Sequence, residues 1–137
     1  MLVRPRQRGF TLLELIVVIT LLALIAVVIA PQMFGRAEQA KQKAAQIQVE
    51  KVANAIQLYK LEVGRYPESL EDLLNRPSGV DNWNGPYLQK KALLLDPWGH
   101  EFTYTVPGQH GRFDLISLGS DGTAGGTEDA ADIGNWE

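Results

Sequence analysis

The stretch Gly9–Pro31, GFTLLELIVVITLLALIAVVIAP, is one long apolar run that contains a single acidic residue, Glu14. From Phe10 to Ala30 it has 21 residues, and as an α-helix rising about 1.5 Å per residue it would span about 31 Å. That length suffices for one bilayer crossing. An ionised carboxylate at full membrane depth costs roughly 2.5–3.5 kcal/mol, and less near the interface. We therefore expect Glu14 to have a partner.

Three arginines and no acidic residue lie among the first eight residues. Positive charge beside a membrane helix favours the cytoplasmic side, so the sequence predicts a cytoplasmic N-terminus and an exported remainder. Ala26 and Ala30 form only a weak site for conventional signal-peptide cleavage, and the helical pattern continues beyond them. A plain membrane anchor, in which Glu14 merely reaches toward the headgroups, is the alternative interpretation.

The helical pattern continues past the membrane-length run. Pro31 is able to kink the helix, because it lacks an N–H and its ring crowds the preceding turn. Residues 31–63 are amphipathic, since apolar side chains recur at spacings of four and three, the period of one helix face. These side chains are Ala45, Val49, Val52, Ile56, Tyr59 and Val63. Gly64 is suited to end the helix, because glycine readily takes a left-handed conformation.

The remaining residues, 64–137, are predicted to form one small globular part. Ser69–Asp72 has the pattern of a capping box at the start of a short helix. Ser78–Lys91 is predicted to be a loop that Trp83 and Tyr87 anchor.

Two strands are predicted farther along, at 102–106 and 112–118, joined by the turn sequence PGQHG. We expect an α+β fold, in which the long N-terminal helix packs on a small antiparallel sheet of about three strands.

Composition and charge exclude several classes of function. Without residues 1–9 the chain has ten basic and sixteen acidic residues, a formal charge near −6, which argues against nucleic-acid binding. There is no cysteine to act as a nucleophile or to form a disulfide. His100 and His110 lie in turn sequences without the arrangement of a catalytic site. The sequence therefore predicts a protein that is not an enzyme.

The segment Ser117–Asp132 combines many glycines with four acidic residues, Asp121, Glu128, Asp129 and Asp132. Hard oxygen donors of this kind suit Ca²⁺, which takes six to eight of them. The spacing is not that of an EF-hand. From the residues alone, a calcium site and a solvated acidic loop are both consistent with this segment.

The motif Gly9–Glu14, GFTLLE, following a short basic leader, resembles the type III signal of type IV pilins and pseudopilins. The sequence from GRYP (Gly64–Pro67) through DPWG (Asp96–Gly99) is similar to the major pseudopilins of type II secretion systems, the G subunits. The resemblance covers almost the whole mature chain, and it implies a type IV pilin-like fold.

The resemblance also implies how the N-terminus is processed. A prepilin peptidase would cut on the cytoplasmic side between Gly9 and Phe10, removing residues 1–9 as a leader, and would methylate the new amine of Phe10. Residues 10–30 would remain as the transmembrane helix. Glu14 would then pair with that amine, within one subunit or between neighbours, as an assembly residue.

The implied function is structural. The chain would self-assemble into a helical pseudopilus that drives export of folded proteins across the outer membrane, with minor pseudopilins and an inner-membrane assembly platform as partners. Near Pro31, the helix would extend when the subunits assemble. The alternatives are a type IV pilin or competence pseudopilin that forms a surface fibre, and a monomeric membrane-anchored periplasmic domain.

G-subunit pseudopilins hold one Ca²⁺ in their C-terminal loop, so the resemblance favours the calcium interpretation. Carried onto this sequence, it implies Asp121, Asp129 and the carbonyl of Leu118 as ligands. Further donors would come from Asp132, Glu128, Thr123 and Thr127. Metal binding and loop folding would be coupled, because the acids repel one another without the ion.

Overall fold

The computed structural model describes residues 9–137, so the predicted leader up to Arg8 lies outside the described residues, as does the side chain of Asp129. The chain divides into two compact units, one ending at Ala37 and the other comprising Glu38–Glu137.

Helix α1, Leu12–Val63, has 52 residues and includes Pro31. It ends where the sequence predicts: Gly64 has a φ of 89°, and its N–H donates to the carbonyl of Lys60 at 2.9 Å. It begins two residues later than Phe10. The hydroxyl of Thr11 accepts the N–H of Glu14 at 3.2 Å, so Thr11 caps the helix and does not belong to it.

The first unit presents apolar side chains on every side of α1. All residues from Gly9 to Ala37 are exposed. Among the described residues, α1 is the one helix long and apolar enough to cross a membrane, with a mean hydropathy of 3.2 in its most apolar window. This half of the helix therefore needs lipid or another apolar surface as its environment.

The second unit contains short elements and much irregular chain. Three strands form an antiparallel sheet in the order β1-β2-β3, with Thr103 opposite Ile116 and Ile116 opposite Gly134. The strands are β1 Thr103–Thr105, β2 Asp114–Ser117 and β3 Ile133–Gly134. The predicted fold is confirmed, but β1 and β2 occupy only the centres of the predicted strands.

Three 3₁₀-helices accompany the sheet, at Leu70–Leu73, Lys91–Leu94 and Glu128–Ala130. The first is the short helix predicted after Ser69, and its capping residue behaves as expected. The Asp72 carboxylate accepts the N–H groups of Glu68 at 2.9 Å and Ser69 at 3.2 Å. The second was not predicted. Its residue Leu94 is buried in the same hydrophobic core as the buried face of α1.

The core lies between the second half of α1 and the sheet. The predicted stripe is buried from Ala45 to Tyr59, whereas Val63 is only partly buried. It packs against Leu73, Phe102, Phe113 and Leu115. The Tyr59 ring meets the Tyr87 ring edge-on at 5.5 Å.

The predicted loop anchors are also confirmed. The Trp83 ring lies 5.7 Å from the Tyr87 ring, and its indole N–H donates to the carbonyl of Asp72 at 2.9 Å. The Tyr87 hydroxyl donates to the Glu62 carboxylate at 2.6 Å. These bonds fasten an irregular loop to α1 and to the first 3₁₀-helix without a strand ladder.

Replacing Ile56, which is fully buried, by alanine should destabilise the second unit by about 2–5 kcal/mol, because a cavity opens between helix and sheet. Leu61→Ala is the matched control on the same helix, since Leu61 is 80% exposed. Urea unfolding of the full chain in detergent, followed by tryptophan fluorescence, measures both. Equal midpoints for the two variants would contradict this placement of the core.

Candidate functional sites

The N-terminal site comprises Gly9, Phe10 and Glu14. Phe10 is 83% exposed and precedes the first helical residue, and a side chain built on Gly9 would meet nothing. The scissile bond predicted between them is thus accessible in irregular chain. Thr11 and Glu14 also form a T-x-x-E pattern, a helix-start signal that the sequence analysis missed.

Glu14 lies in the first turn of α1, where the helix dipole favours a negative charge. Within residues 9–137, no cation lies within ion-pair distance of its carboxylate. Because Phe10 lies outside the helix, the expected helical i, i+4 relation between Phe10 and Glu14 is not formed. In the unprocessed chain the Phe10 nitrogen is still part of the Gly9–Phe10 peptide bond, so its pairing with Glu14, within one subunit or between neighbours, stays a prediction.

The second site is the loop Ser117–Asp132, which connects β2 to β3. Its four glycines with positive φ are Gly119, Gly122, Gly125 and Gly126. At Gly126, with a φ of 116°, a Cβ atom would collide with the carbonyl oxygen of Ala130. A Cβ atom at Gly119 would lie 2.8 Å from the same oxygen. The two glycines let the loop backbone pass close to the 3₁₀-helix.

Two of the predicted calcium ligands have defined carboxylate positions. Oδ1 of Asp121, an exposed residue, accepts the N–H of Thr123 at 3.0 Å. Oδ2 of Asp132 accepts the N–H of Gly125 at 2.8 Å. The other oxygen of Asp132, Oδ1, is buried and makes no hydrogen bond with any described group. A buried carboxylate oxygen without a donor is unusual, and a cation would satisfy it.

The other predicted donors differ in their exposure and in their hydrogen bonds. The Glu128 side chain is exposed and its φ is 54°, while its carbonyl accepts from Gln42 Nε2 at 2.6 Å. The Thr127 carbonyl accepts the N–H of Ala130 at 3.1 Å. Leu118 is half-buried, and Thr123 is exposed. Among the described side chains, no three His, Asp or Glu groups converge as a metal cluster, and the side chain of Asp129 lies outside that set.

Asp96, the first residue of the DPWG turn, supports this loop through hydrogen bonds. It is 5% exposed, and its Oδ1 accepts the N–H groups of Trp98 at 3.0 Å and His100 at 2.8 Å. Its Oδ2 accepts the hydroxyl of Ser117 at 2.8 Å. The carboxylate therefore links the turn to the end of β2, where the loop begins.

His100 extends this connection into the loop. Its Nδ1 lies 3.2 Å from the carbonyl oxygen of Gly119, and its ring packs where a Cβ atom of Gly122 would be. Sequence reasoning treated it as a surface residue of a turn, but it is half-buried. No local pattern could show this, because its partners come from 19 and 22 residues away.

Helix α1 holds the same region from the other side. The indole N–H of Trp98 donates to Glu38 Oε2 at 2.8 Å, and this bond, with help from Lys41, holds the pKa of the Glu38 carboxyl below its usual value. Gln48 Nε2 donates to the carbonyls of Leu93 and Leu95. Polar helix side chains thus bind the turn and the segment that precedes it.

A long apolar helix whose second half packs on a small antiparallel sheet is the architecture of pilin-like proteins. The structure is similar to the crystal structure of the major pseudopilin from the type 2 secretion system of enterohaemorrhagic Escherichia coli. The TM-score is 0.61 and the sequence identity 30%, over 77% of this chain and 95% of that one.

Two family models match the sequence. Residues 4–30 match the prokaryotic N-terminal methylation motif, and residues 32–136 match type II secretion system protein G. The type II secretion system core protein G of Pseudomonas aeruginosa is 43% identical over 98% of both chains. That of Vibrio cholerae is 39% identical over 96% of this chain and 92% of its own. The chain therefore belongs to the type II secretion system protein G family.

Gly126→Ala should destabilise the loop more than Gly125→Ala. Both glycines have positive φ, so each change adds backbone strain of about 1–2 kcal/mol, but only at Gly126 does the new Cβ atom meet the Ala130 carbonyl. Limited proteolysis of the full chain in detergent, read at the C-terminal loop, compares the two variants. Equal cleavage rates would show that the loop does not pass Ala130 this closely.

Proposed function

We propose that the mature chain is a structural subunit that stacks into the helical pseudopilus of a type II secretion system. Growth of this filament pushes folded proteins from the periplasm through the outer membrane. The observation that carries the proposal is the first unit, a helix with apolar side chains exposed on every side. Such a surface lies in lipid before assembly and against the same segment of neighbouring subunits afterwards.

The topology follows from charge. The arginines of the leader keep the N-terminus in the cytoplasm, and the acidic unit Glu38–Glu137 lies in the periplasm. The chain is thus a single-pass inner-membrane protein before assembly. A separately folded second unit fits this arrangement, since it is carried outside the membrane by α1.

Processing prepares the N-terminus for assembly. A prepilin peptidase cuts between Gly9 and Phe10 on the cytoplasmic side and methylates the new amine. The match of residues 4–30 to the methylation motif supports this step. Exposure of the bond in irregular chain ahead of α1 gives the peptidase access, because proteases bind extended backbone rather than helix.

The new amine and Glu14 then form the assembly pair. We assign this pair to neighbouring subunits, whose exposed apolar segments lie against one another in the filament. A charge buried in an apolar bundle without its partner is costly, so the pair selects the register at which the subunits stack. Pro31 is a place where the helix extends during that step.

The filament needs other components. An inner-membrane platform extracts the subunits, minor pseudopilins begin the filament, and the export energy comes from a cytoplasmic ATPase. The geometry of this chain contributes contacts and rigidity. We assign it no catalytic role.

We propose that the loop Ser117–Asp132 binds one Ca²⁺. The unpartnered Oδ1 of Asp132 is the strongest observation in favour, and Asp121 is the second carboxylate whose position is described. Asp129 and Glu128 add acidic side chains, and the carbonyls of Leu118, Thr123 and Thr127 are further oxygen donors. The ion supplies charge neutralisation, which lets several acids and the crowded glycines share one compact loop.

Glu14→Ala should leave membrane insertion intact but abolish pseudopilus assembly and export, because the neighbouring amine loses its counter-ion. Thr20→Val is the matched control. It also changes a polar residue of the apolar segment, but the Thr20 hydroxyl bonds only its own helix, at the carbonyl of Ile16. Exoprotein secretion in the organism that encodes the chain, with membrane fractionation, measures both. Normal export by Glu14→Ala would refute assembly through Glu14.

Added Ca²⁺ should raise the melting temperature of the full chain, since free metal at 100 times its Kd stabilises the folded state by about 2.7 kcal/mol. Asp121→Ala and Asp132→Ala should remove most of that increase. Asp81→Ala, a fully exposed acid in another loop, should keep it. A melting temperature unchanged between Ca²⁺ and chelator would rule out the metal site.

A further inference from the structure

The second unit has a cationic cleft, formed where α1 meets the turn between β1 and β2. The cleft has a volume of about 510 Å³, and its basic residues are Lys60, His110 and Arg112. Its walls include Leu61, which is 80% exposed, and Trp136, whose ring stacks on the His110 ring at 3.8 Å. The cleft is thus both apolar and positively charged.

Asp114 also lines this cleft, but its carboxylate is already engaged. It accepts the N–H of Gln109 at 2.8 Å and contacts His110 Nδ1 at 3.0 Å. Burial raises the pKa of Asp114, but these bonds outweigh burial and hold it below its usual value. Arg112 is exposed, and within residues 9–137 its guanidinium has no acidic partner. The cleft therefore presents unneutralised positive charge.

An acidic groove of similar size, about 540 Å³, lies beside the start of β1. Its acids are Glu68, Glu71 and Glu101, and its apolar wall includes Leu95, which is 37% exposed. Two of these acids already have basic partners, because Lys91 pairs with Glu71 at 3.8 Å and Arg65 pairs with Glu68 at 3.3 Å. Among the described side chains Glu101 has no basic partner. The apolar wall and the unpaired acid of this groove complement the apolar wall and the unpaired cation of the cationic cleft.

The two surfaces lie at opposite ends of one hairpin. Thr103 pairs with Ile116 and Thr105 with Asp114, so Glu101 lies at the open end of the hairpin and Arg112 at its turn. Six residues of extended chain separate these ends, roughly 20 Å at about 3.3 Å per residue. One copy therefore cannot join its own cleft to its own groove. Two copies joined in this way form a head-to-tail contact, which repeats as a filament.

We propose that the cationic cleft of one copy binds the acidic groove of a second copy of this chain. The inference rests on the proposed function, and it adds the lateral contact between second units. Charge is the reason for it. A mature chain with a formal charge near −6 repels its neighbours on average, so the contact must place the free cations of one copy against acids of the next.

Cysteine cross-linking tests this contact directly, because the chain has no native cysteine. In the double variant Glu101→Cys with Arg112→Cys, a disulfide requires Cα atoms closer than about 7 Å, which the hairpin excludes within one copy. Cells expressing the processed, full-length variant in its secretion system are oxidised and their membranes and filaments analysed without reductant. We expect a ladder of dimers, trimers and higher multimers.

The matched control pairs Arg112→Cys with Asp81→Cys, a fully exposed acid outside the groove. It should give no ladder above the level of Arg112→Cys alone. A second measurement reverses the charges. Arg112→Glu and Glu101→Arg should each lower filament yield about tenfold, since like charges then face each other, and the two together should restore it.

The outcomes separate this contact from pseudopilus formation itself. If filaments form and export continues but the cysteine pair gives no ladder, the contact is wrong and the proposed function stands. Cross-links that stop at a dimer, or that join only another protein, also overturn it. If no filament forms with the native chain, the proposed function fails first.

Discussion

The second unit depends on burial of one stripe of helix α1. Ile56 and Val52 are fully buried, and Tyr59 and Val49 nearly so. The three strands have only three, four and two residues, so the sheet by itself contributes few backbone hydrogen bonds. The sheet, the first two 3₁₀-helices and the aromatic anchors all pack against the apolar surface of the helix. Without it, these short segments could not offset the conformational entropy of ordering them.

Side-chain hydrogen bonds then position the irregular chain. Loops without a strand ladder must satisfy their backbone groups in other ways. Here Gln42 and Gln48 donate from the helix to loop carbonyls, and the buried carboxylate of Asp96 accepts from the turn and from β2. The C-terminal loop therefore rests on contacts that reach it from α1, from the DPWG turn and from the sheet. The geometry of the proposed Ca²⁺ site would therefore depend on residues distant from the loop in sequence.

One helix serves two environments. Its first half exposes apolar side chains on all sides, whereas its second half buries one face and presents polar groups on the other. The first half suits lipid and then the filament interior, and the second carries the folded unit. The cationic cleft and the acidic groove both lie on the second unit, where the proposed contact with another copy would form.

Periodicity and local motifs explain why much of the fold was predictable. The 3.6-residue spacing identified the buried face of α1, Gly64 marked its end, and alternation located β1 and β2. Each of these signals is local, arising within a turn or a strand. The third strand was expected but not located, because the two-residue segment Ile133–Gly134 shows no alternation and forms only by pairing with β2. The 3₁₀-helix Lys91–Leu94 was missed because its four residues are too few to show a helical period.

The sequence by itself determined the membrane-length helix, its acid at Glu14, the processing motif and the acidic, glycine-rich composition of the C-terminal loop. These depend on residue type and spacing along the chain. Only the tertiary structure decided that Asp96 and His100 support the loop and that one oxygen of Asp132 is buried without a donor. The same holds for the opposite placement of Glu101 and Arg112 on one hairpin. Each of these depends on pairing or packing between residues rather than on residue type, which a linear pattern does not record.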